Sequence, residues 1–526
     1  LKIAETHLGV KTEKKKEIYY PVKDESKAKI KKGELYLTND KSERKATGSY
    51  YTPDYIVKYI VQNSIEPLIQ KKLKEFEKWR EELRTKSKSE LKKLIREFSV
   101  SFDPKVYSKE GKIVGTKDIN VYRNVLLGLK DPIESILKLK ILDPAMGSGH
   151  FLVETVDYLS QRIVNILGEI SEESYFGEEI YSSPILEKLE RIRTQILDKA
   201  RKKCYIINES KLEDRNLIKR IILKRCIYGV DLNPLAVELA KVSLWLHTFT
   251  VGAPLSFLDH HLKCGNSLIG ANPEDFDKVL KEKPLFGLRY VGLMSAVEMI
   301  EKIQDITDAD ISEVEESAKI YEEVMEQLEP YKKLLDVYTA DFFLRPQKKS
   351  ELKKYKSPLI LLDGMRGDPL KVISGEINLS EDENSLIHKA LKLAQEKRFF
   401  HWKLEFPEVW YEKGREKENG GFDVVIGNPP YLIEPRGNKE IFRELQLSPT
   451  VGEYYEKNID IFYFFIEQSI DLLKTNGLLG FIVQEYWITR ATAKKLRQKL
   501  FNETIPLAFI LFKSFRLFRE APGQHN

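Results

Sequence analysis

The chain has 526 residues, more than one compact hydrophobic core normally organises, so we expect a central domain with large insertions or two to three domains. With 42% hydrophobic and 32% charged residues, the composition is that of a globular protein and excludes a fibrous or disordered one. The net charge of +5 is small, so any surface that binds a polyanion must be local.

The three cysteines, Cys204, Cys226 and Cys264, lie far apart in the sequence. Because they lack paired ligand spacing, they argue against a disulfide framework and against a zinc site. The first residues lack the apolar core of a secretory signal, and no stretch approaches the ~20 uninterrupted apolar residues of a membrane helix. We therefore expect a cytoplasmic protein without a membrane anchor or a bound metal.

The first quarter of the chain is interpreted as a linker followed by a helical connector that carries the YTP segment. Residues 1–45 are rich in Lys and Glu with little periodicity, and we interpret them as a linker or the end of an upstream region. Thr52 and Pro53 are typical of a helix N-cap followed by proline at the first helical position. Pro67 is expected to kink or end that helix. Residues 46–135 are thus predicted to form a helical connector.

From residue 138 onward, short apolar runs alternate with helical patterns. The runs predicted as strands are 138–143, 226–232, 262–270, 422–427, 477–484 and 506–512. This alternation predicts a parallel sheet covered by helices on both faces. Two charged, mostly helical stretches, at about 168–225 and 271–415, are interpreted as insertions into a catalytic domain that spans 136–526.

The segment DPAMGSGHF follows the first predicted strand and precedes a helix. Gly147 and Gly149 allow a tight turn and a close approach of the backbone to a ligand. Such turns occur in NAD-binding and methyl-donor folds and as purely structural turns, so this feature alone leaves all three open. Phe151 follows where the dinucleotide fingerprint has a third glycine, which lowers the NAD interpretation. Asp231 ends the second predicted strand, where a carboxylate can accept both ribose hydroxyls.

The most specific segment is FDVVIGNPPYL, in which a strand runs directly into Asn428-Pro429-Pro430-Tyr431. The prolines stiffen the turn, and the Pro429 carbonyl and Asn428 amide oxygen can together accept both hydrogens of a planar amino group. That pairing would aim the nitrogen lone pair at a methyl donor. Tyr431 offers a face on which a flat base can stack. A merely structural, proline-stiffened strand exit is the alternative.

These motifs and their order resemble the gamma-class adenine-specific DNA methyltransferases, especially those fused into type IIG restriction-modification enzymes. The resemblance covers about 46–519. It rests on TGSYYTP, ILDPAMGSGHFL, YGVDLNPLAVELAK, CGNSLIG, FDVVIGNPPYL and DIFYFFIEQSIDLLKTNGLLGFIV. It implies a Rossmann-like class I methyltransferase sheet with large helical insertions, and S-adenosylmethionine as the cofactor.

The resemblance also implies which residues act. Asn428 to Tyr431 would hold an adenine flipped out of double-stranded DNA. Asn266 falls where relatives often have an aspartate at the cofactor adenine, and a further base-sandwiching aromatic would fall near Phe515 or Phe518. The cofactor-binding set is predicted to be Tyr51, Thr52, Pro53, Asp143, Pro144, Gly147, Gly149, Phe151, Asp231 and Asn266.

Other functions fit parts of the pattern. An NPPY methyltransferase that modifies protein glutamine or RNA is the nearest rival, although such enzymes are usually compact. A restriction nuclease or non-catalytic DNA-specificity protein is a second class, but no convincing nuclease constellation is present. The domain is expected to be truncated at its C-terminus, with nuclease and target-recognition regions outside this segment.

Overall fold

The computed structural model describes residues 2–3, 8–13, 16–21 and 35–36, and then 52–512 except for 101, 104, 108–112, 172, 179, 203, 205–211, 276–290, 362–368 and 413. The chain divides into two compact units, Leu1–Tyr50 and Tyr51–Asn526. The first unit contains two antiparallel strand pairs. They are β1 (Lys2–Ile3) with β4 (Leu35–Tyr36), and β2 (Leu8–Glu13) with β3 (Lys16–Pro21). These strands lie in the stretch for which the sequence predicted a linker.

The second unit combines strands and many helices. The strands are β5 (Lys105–Tyr107), β6 (Ile113–Thr116), β7 (Ile141–Asp143), β8 (Ile227–Asp231), β9 (Leu262–Cys264), β10 (Tyr411–Glu412), β11 (Arg415–Glu416), β12 (Phe422–Gly427) and β13 (Leu473–Phe481). The helices are α1 (Asp54–Thr85), α2 (Lys88–Glu97), α3 (Ile119–Leu127), α4 (Pro132–Ile136), α5 (His150–Ser171), α6 (Pro184–Lys202), α7 (Asp214–Arg225), α8 (Pro234–His247), α9 (Val291–Asp305), α10 (Ile311–Leu344), α11 (Lys349–Leu352), α12 (Pro369–Ile373), α13 (Glu381–Lys397), α14 (Trp402–Glu405), α15 (Pro407–Trp410), α16 (Lys439–Leu447), α17 (Ile461–Leu472) and α18 (Lys494–Glu503). No helix in the described part of the chain is long and apolar enough to cross a membrane.

A five-stranded parallel sheet forms the centre of this unit, in the order β13-β12-β7-β8-β9. β7 and β12 are buried along their whole length, as expected for a parallel strand with neighbours on both sides. Five of the six predicted strands are therefore confirmed, although β13 begins at Leu473 rather than at 477. The α/β architecture is consistent with a methyltransferase fold.

The sixth predicted strand, at 506–512, is wrong. These residues are described and pair with no strand, and Leu507 is 74% exposed. Local β-propensity alone does not form a strand, because a strand is stabilised by hydrogen bonds and side-chain contacts with a neighbouring strand. The apolar run finds no such neighbour in the described structure.

The first long helix, α1, differs from the prediction both at its start and at Pro67. Pro53 is the N-cap and makes no side-chain cap bond, so Thr52 is not the cap residue. Pro67 lies inside the helix, which continues to Thr85. Proline removes one backbone hydrogen bond, but burial of the helix face that carries Ile65 and Ile69 outweighs this loss.

The second predicted insertion is fixed to the sheet by a buried charge cluster. Glu405 on α14 is 6% exposed and makes salt bridges with Lys263 of β9, at 3.0 Å, and with Lys332 of α10. Burial alone would raise the pKa of Glu405, but the charges of Lys332 and Lys263 outweigh it and hold the pKa far below its ordinary value. The aromatic residues of segment 400–410 around this cluster are buried in the core.

Replacing Glu405 by glutamine is expected to lower the free energy of unfolding by about 3 kcal/mol, because it leaves two lysine charges without their buried carboxylate. Urea unfolding measures the effect. The matched control is Glu351→Gln, which removes an exposed pair with Lys348 and should leave the unfolding midpoint unchanged. An equal effect of both substitutions would contradict the prediction.

Candidate functional site

The centre of the sheet is a topological switch point. From β7 the strand order runs through β8 to β9 on one side, and through β12 to β13 on the other. Ligands of open α/β sheets bind beyond the carboxyl ends of the strands at such a point. Asp143 ends β7 and Gly427 ends β12, so the switch point brings the glycine-rich turn beside the start of the NPPY segment.

The two predicted cofactor elements meet despite their separation in sequence. Gly147 N–H donates to Asp231 Oδ2 at 2.9 Å, and Asn233 N–H donates to Asp231 Oδ1 at 2.8 Å. Gly147 has φ +54°, and a Cβ atom built on it would meet no atom within 4 Å. The turn therefore lies open on its outer side, next to a carboxylate that retains free lone pairs.

Gly149 and Phe151 continue this turn into α5. A Cβ on Gly149, which has φ +82°, would lie 3.1 Å from the Ala240 Cβ, so glycine here permits close packing of α8. Phe151 is buried. The structure therefore places Phe151 in the core beneath the turn, and a direct cofactor contact of its ring stays a prediction.

The end of β9 lies against the same turn. Ser267 Oγ donates to the Pro144 carbonyl at 2.6 Å. Asn266 next to it is half-buried, and its Oδ1 accepts the N–H of Leu268 at 3.2 Å. The structure thus brings Asn266 near the turn, while its amide is used in a local bond. Sequence reasoning missed Ser267, whose contact joins residues 123 positions apart.

Two carboxyl groups of the site have raised pKa values. Burial raises the pKa of Asp143 to about 8, against the hydrogen bond from Ala145 N–H, and the charge of Asp231 adds to this rise. Burial also raises the pKa of Asp231 above its ordinary value, although the N–H groups of Asn233 and Gly147 oppose it. Perturbed carboxyl groups at a strand end are typical of a ligand site.

The Asp143 pKa predicts a pH-dependent stability. Between the unfolded value near 3.8 and the folded value of about 8, the folded protein keeps a proton that the unfolded chain has released. The free energy of unfolding therefore falls as pH rises through this window, and Asp143 adds no further change above it. We expect the fall to be smaller in Asp143→Asn, in thermal unfolding followed from mildly acidic to mildly alkaline pH. The exposed Asp198→Asn should follow wild type; identical pH profiles for all three proteins would refute the assignment.

The NPPY segment is held from two sides. Asn428 Nδ2 donates to Thr52 Oγ1 at 3.1 Å, and Asn428 Oδ1 accepts the Tyr431 hydroxyl at 2.6 Å. Thr52 is buried. The segment before α1, which the sequence related to the cofactor, thus orients the asparagine side chain directly. The residue numbers differ by 376, so local patterns could not reveal this contact.

Tyr431 lies inward in this structure. Its ring is 7% exposed and packs edge to face on Phe462, with 6.0 Å between ring centroids. Its hydroxyl also lies 3.0 Å from the Ile482 carbonyl, at the end of β13. Stacking of a base on Tyr431 stays a prediction, and it requires the ring to leave this packing.

Asp460 anchors the exit of the NPPY segment, a role that the sequence analysis did not assign. Its side chain is fully buried; Oδ1 accepts the N–H of Leu432 at 3.1 Å, and Oδ2 accepts the Tyr486 hydroxyl. It is also the N-cap of α17, where it accepts from Phe462 N–H. The signal in the sequence was an aspartate directly before a helical apolar run.

Gly427 joins the strand end to the site. Its φ is +153°, and a Cβ built on it would lie 2.7 Å from Asp143 Oδ1. We expect Gly427→Ala to lower the free energy of unfolding by more than about 2 kcal/mol, because strain and a clash with a buried carboxyl group add. The control is Gly375→Ala, at φ +80° in open space, which adds strain alone. Chemical denaturation compares them, and equal losses would show that the clash is relieved.

Three residues named from the sequence fall outside the described residues. They are Tyr51 of the predicted cofactor set and the two candidate aromatics, Phe515 and Phe518. Pro53 is half-buried next to Thr52, Pro429 is buried, and Pro430 is half-buried in the segment after β12.

A parallel sheet with a glycine-rich turn after its central strand, and a carboxylate ending the next strand, is typical of α/β domains that bind nucleotide-type ligands. Two family models match this chain. The Eco57I restriction-modification methylase model matches residues 225–518, and the MmeI DNA-methyltransferase domain model matches residues 118–263. The chain belongs to the Eco57I restriction-modification methylase family.

The chain is also similar to individual proteins. A provisionally named type II restriction enzyme and methyltransferase of Methanocaldococcus jannaschii is 28% identical, over 91% of this chain and 35% of that protein. The type II restriction enzyme and methyltransferase RM.Eco57I of Escherichia coli is 31% identical over 26% of this chain and 12% of its own length. The adenine-specific methyltransferase PglX of Lacticaseibacillus casei is 28% identical over 20% of this chain and 8% of its own length. The chain thus spans about a third of the first of these relatives and less of the others.

Proposed function

We propose that this chain is the gamma-class methyltransferase region of a type II restriction-modification enzyme, and that it transfers a methyl group from S-adenosylmethionine to N6 of adenine in duplex DNA. The observation that carries the proposal is the position of Asn428 at the switch point, beside Asp143 and the open glycine turn. Residues 136–526 would be the catalytic domain, with target-recognition and nuclease functions supplied by regions outside this segment. The names of the relatives, which include an adenine-specific enzyme, support the substrate.

The residues present fit S-adenosylmethionine. The turn at Gly147 leaves room for a ligand against the backbone, and Asp231 has oxygens that can accept ribose hydroxyls. Asp143 would face the methionine part, where its carboxyl group meets a positively charged amine. Thr52 and Pro53 would close the same end, and Asn266 would approach the adenine. When bound, this cofactor supplies an electrophilic methyl group on a sulfonium.

The asparagine would position the target nitrogen. In our proposal, Asn428 Oδ1 and the Pro429 carbonyl accept the two hydrogens of the adenine amino group, which localises the nitrogen lone pair. Thr52 keeps the amide oriented, because it binds Nδ2 and leaves Oδ1 directed elsewhere. The Tyr431 hydroxyl occupies Oδ1 in this structure, so binding of the base must displace it.

Orientation of the target amine toward the methyl donor would provide most of the rate acceleration. The reaction is a direct transfer to a positioned amine, so near-attack geometry and electrostatic support suffice, and the proton leaves afterwards. The target adenine must leave the helix, which costs a few kcal/mol that contacts in the site repay. Lysine-rich helices would contribute salt-sensitive contacts to phosphates.

The deciding experiment is transfer of labelled methyl from S-adenosylmethionine to unmethylated duplex DNA, with RNA and protein substrates assayed in parallel. Label on N6-methyladenine after complete digestion of the DNA supports the proposal. Label on RNA or on protein glutamine would replace it with the rival NPPY activity. Cofactor binding without transfer to any substrate, even after addition of the target-recognition region of a relative, would overturn catalysis by this chain.

A further inference from the structure

Helix α8 presents an apolar face that the described structure does not cover. Six side chains on and beside the helix are each between 45% and 73% exposed, which for leucine, valine and phenylalanine is unusual in a contiguous group. The helix is held to the rest of the unit by the opposite face, through Val237, Ala240 and Leu244. We call this exposed set the α8 seam; its members are Leu232, Leu235, Leu239, Val242, Leu246 and Phe249.

The spacing of the α8 seam is that of a helix-pairing surface. Its four members on the helix, Leu235, Leu239, Val242 and Leu246, are four, three and four positions apart, which is the heptad repeat of apolar residues that pack between two helices. Leu232 lies just before the helix and Phe249 just after it. The seam leaves on the order of 500 Å² of apolar surface, which is the size of the largest apolar patch on a typical monomer, and such patches are often functional. Val251 and Leu255, exposed in the following loop, extend it toward the roughly 800 Å² per partner of a stable interface.

The spacing is also the same in both directions along the helix. A two-fold axis that passes between Leu239 and Val242 would therefore place an antiparallel copy in register. In that register Leu239 faces Val242 of the second copy, and Leu235 faces Leu246. Every seam residue on the helix therefore meets an apolar partner.

The flanks of the seam permit this pairing. Ala236 and Ser243 line one flank, and Glu238 and Trp245 line the other, so the antiparallel register does not bring two equal charges together. Glu238 is the one charged residue among these four flank positions, and it is already paired with Lys241 at 2.7 Å; Lys241 also binds Asp259.

We propose that the α8 seam is the interface of a two-fold symmetric dimer of this chain, formed by antiparallel packing of the two α8 helices. The pairing buries the exposed leucines of both copies and uses no residue of the proposed transfer site. Each copy keeps its own site, because α8 contacts the glycine turn with the face opposite the seam.

The test uses sedimentation velocity of the whole chain over a wide range of protein concentration. Wild type should sediment as a dimer, and Leu239→Glu as a monomer, because each dimer would bury two carboxylates in the seam. Leu352→Glu, which alters an exposed leucine on α11, should remain a dimer. A monomeric wild type at every concentration, or a dimeric Leu239→Glu, would overturn the proposal.

A mixing experiment tests the register. Val242→Lys should be monomeric alone, but mixed with Leu239→Glu it should form a heterodimer, because the glutamate and lysine face each other across one layer. Leu235→Lys is the matched control, since it faces Leu246 and should not restore pairing with Leu239→Glu. Circular dichroism confirms that each variant is folded. Equal restoration by both lysine variants, or by neither, would exclude this antiparallel register.

Discussion

Asn428→Ala is expected to lower methyl transfer to DNA at least a hundredfold, with cofactor binding retained. The substitution removes the amide oxygen that would accept a hydrogen of the target amino group at the moment when charge develops on nitrogen. Loss of one such preorganised group typically lowers kcat by about 10²–10³-fold. Because the interaction strengthens in the transition state, the loss should appear in kcat rather than in KM.

Two comparisons separate this loss from a general disturbance of the site. Asn428 also binds Thr52 and Tyr431, so a modest decrease in thermal stability is expected. Asn63→Ala, at an exposed asparagine of α1, should leave both activity and stability unchanged. Asn428→Asp keeps an acceptor but loses the donor to Thr52, and we expect an activity between alanine and wild type. A kcat within twofold of wild type for Asn428→Ala would exclude a direct role.

Asp460→Ala is expected to lower the free energy of unfolding by on the order of 4 kcal/mol and to reduce methyl transfer. The carboxylate accepts from Leu432 N–H, from Phe462 N–H and from the Tyr486 hydroxyl, all in a fully buried position. Each orphaned buried donor costs about 1–3 kcal/mol. Loss of the helix N-cap adds to this cost.

Asp460→Asn distinguishes the packing role from the charge. Burial raises the pKa of Asp460 to about 7, against the bonds from Tyr486, Phe462 and Leu432. We expect Asp460→Asn to retain most of the stability, because one amide oxygen can still cap α17 and bind Leu432. Methyl transfer by Asp460→Asn should likewise exceed that by Asp460→Ala. If Asp460→Ala were as stable as wild type in urea unfolding, the anchoring role of this residue would be refuted.

Patterns of neighbouring residues were sufficient for much of the sheet. β12 was predicted at its observed bounds, because a short, mostly apolar run that is followed directly by Asn-Pro-Pro leaves few alternatives. The helix after β8 begins at Pro234, and the Asn233 side chain accepts from Leu235 N–H, so residues adjacent in the sequence set this helix start as well. The predictions failed where a local signal competed with tertiary packing, at Pro67 and at residues 506–512.

The sequence by itself therefore determined the alternating strands and helices, the family resemblance and the segment that carries Asn428, because these depend on residues close together in the chain. Only the tertiary structure decided which parts meet. Thr52 reaches Asn428, and Gly147 reaches Asp231 across 84 positions, because the order of parallel strands brings their carboxyl ends to one edge of the sheet. The physical reason is that strand order and burial are set by the whole core, whereas propensity and capping act within a few residues.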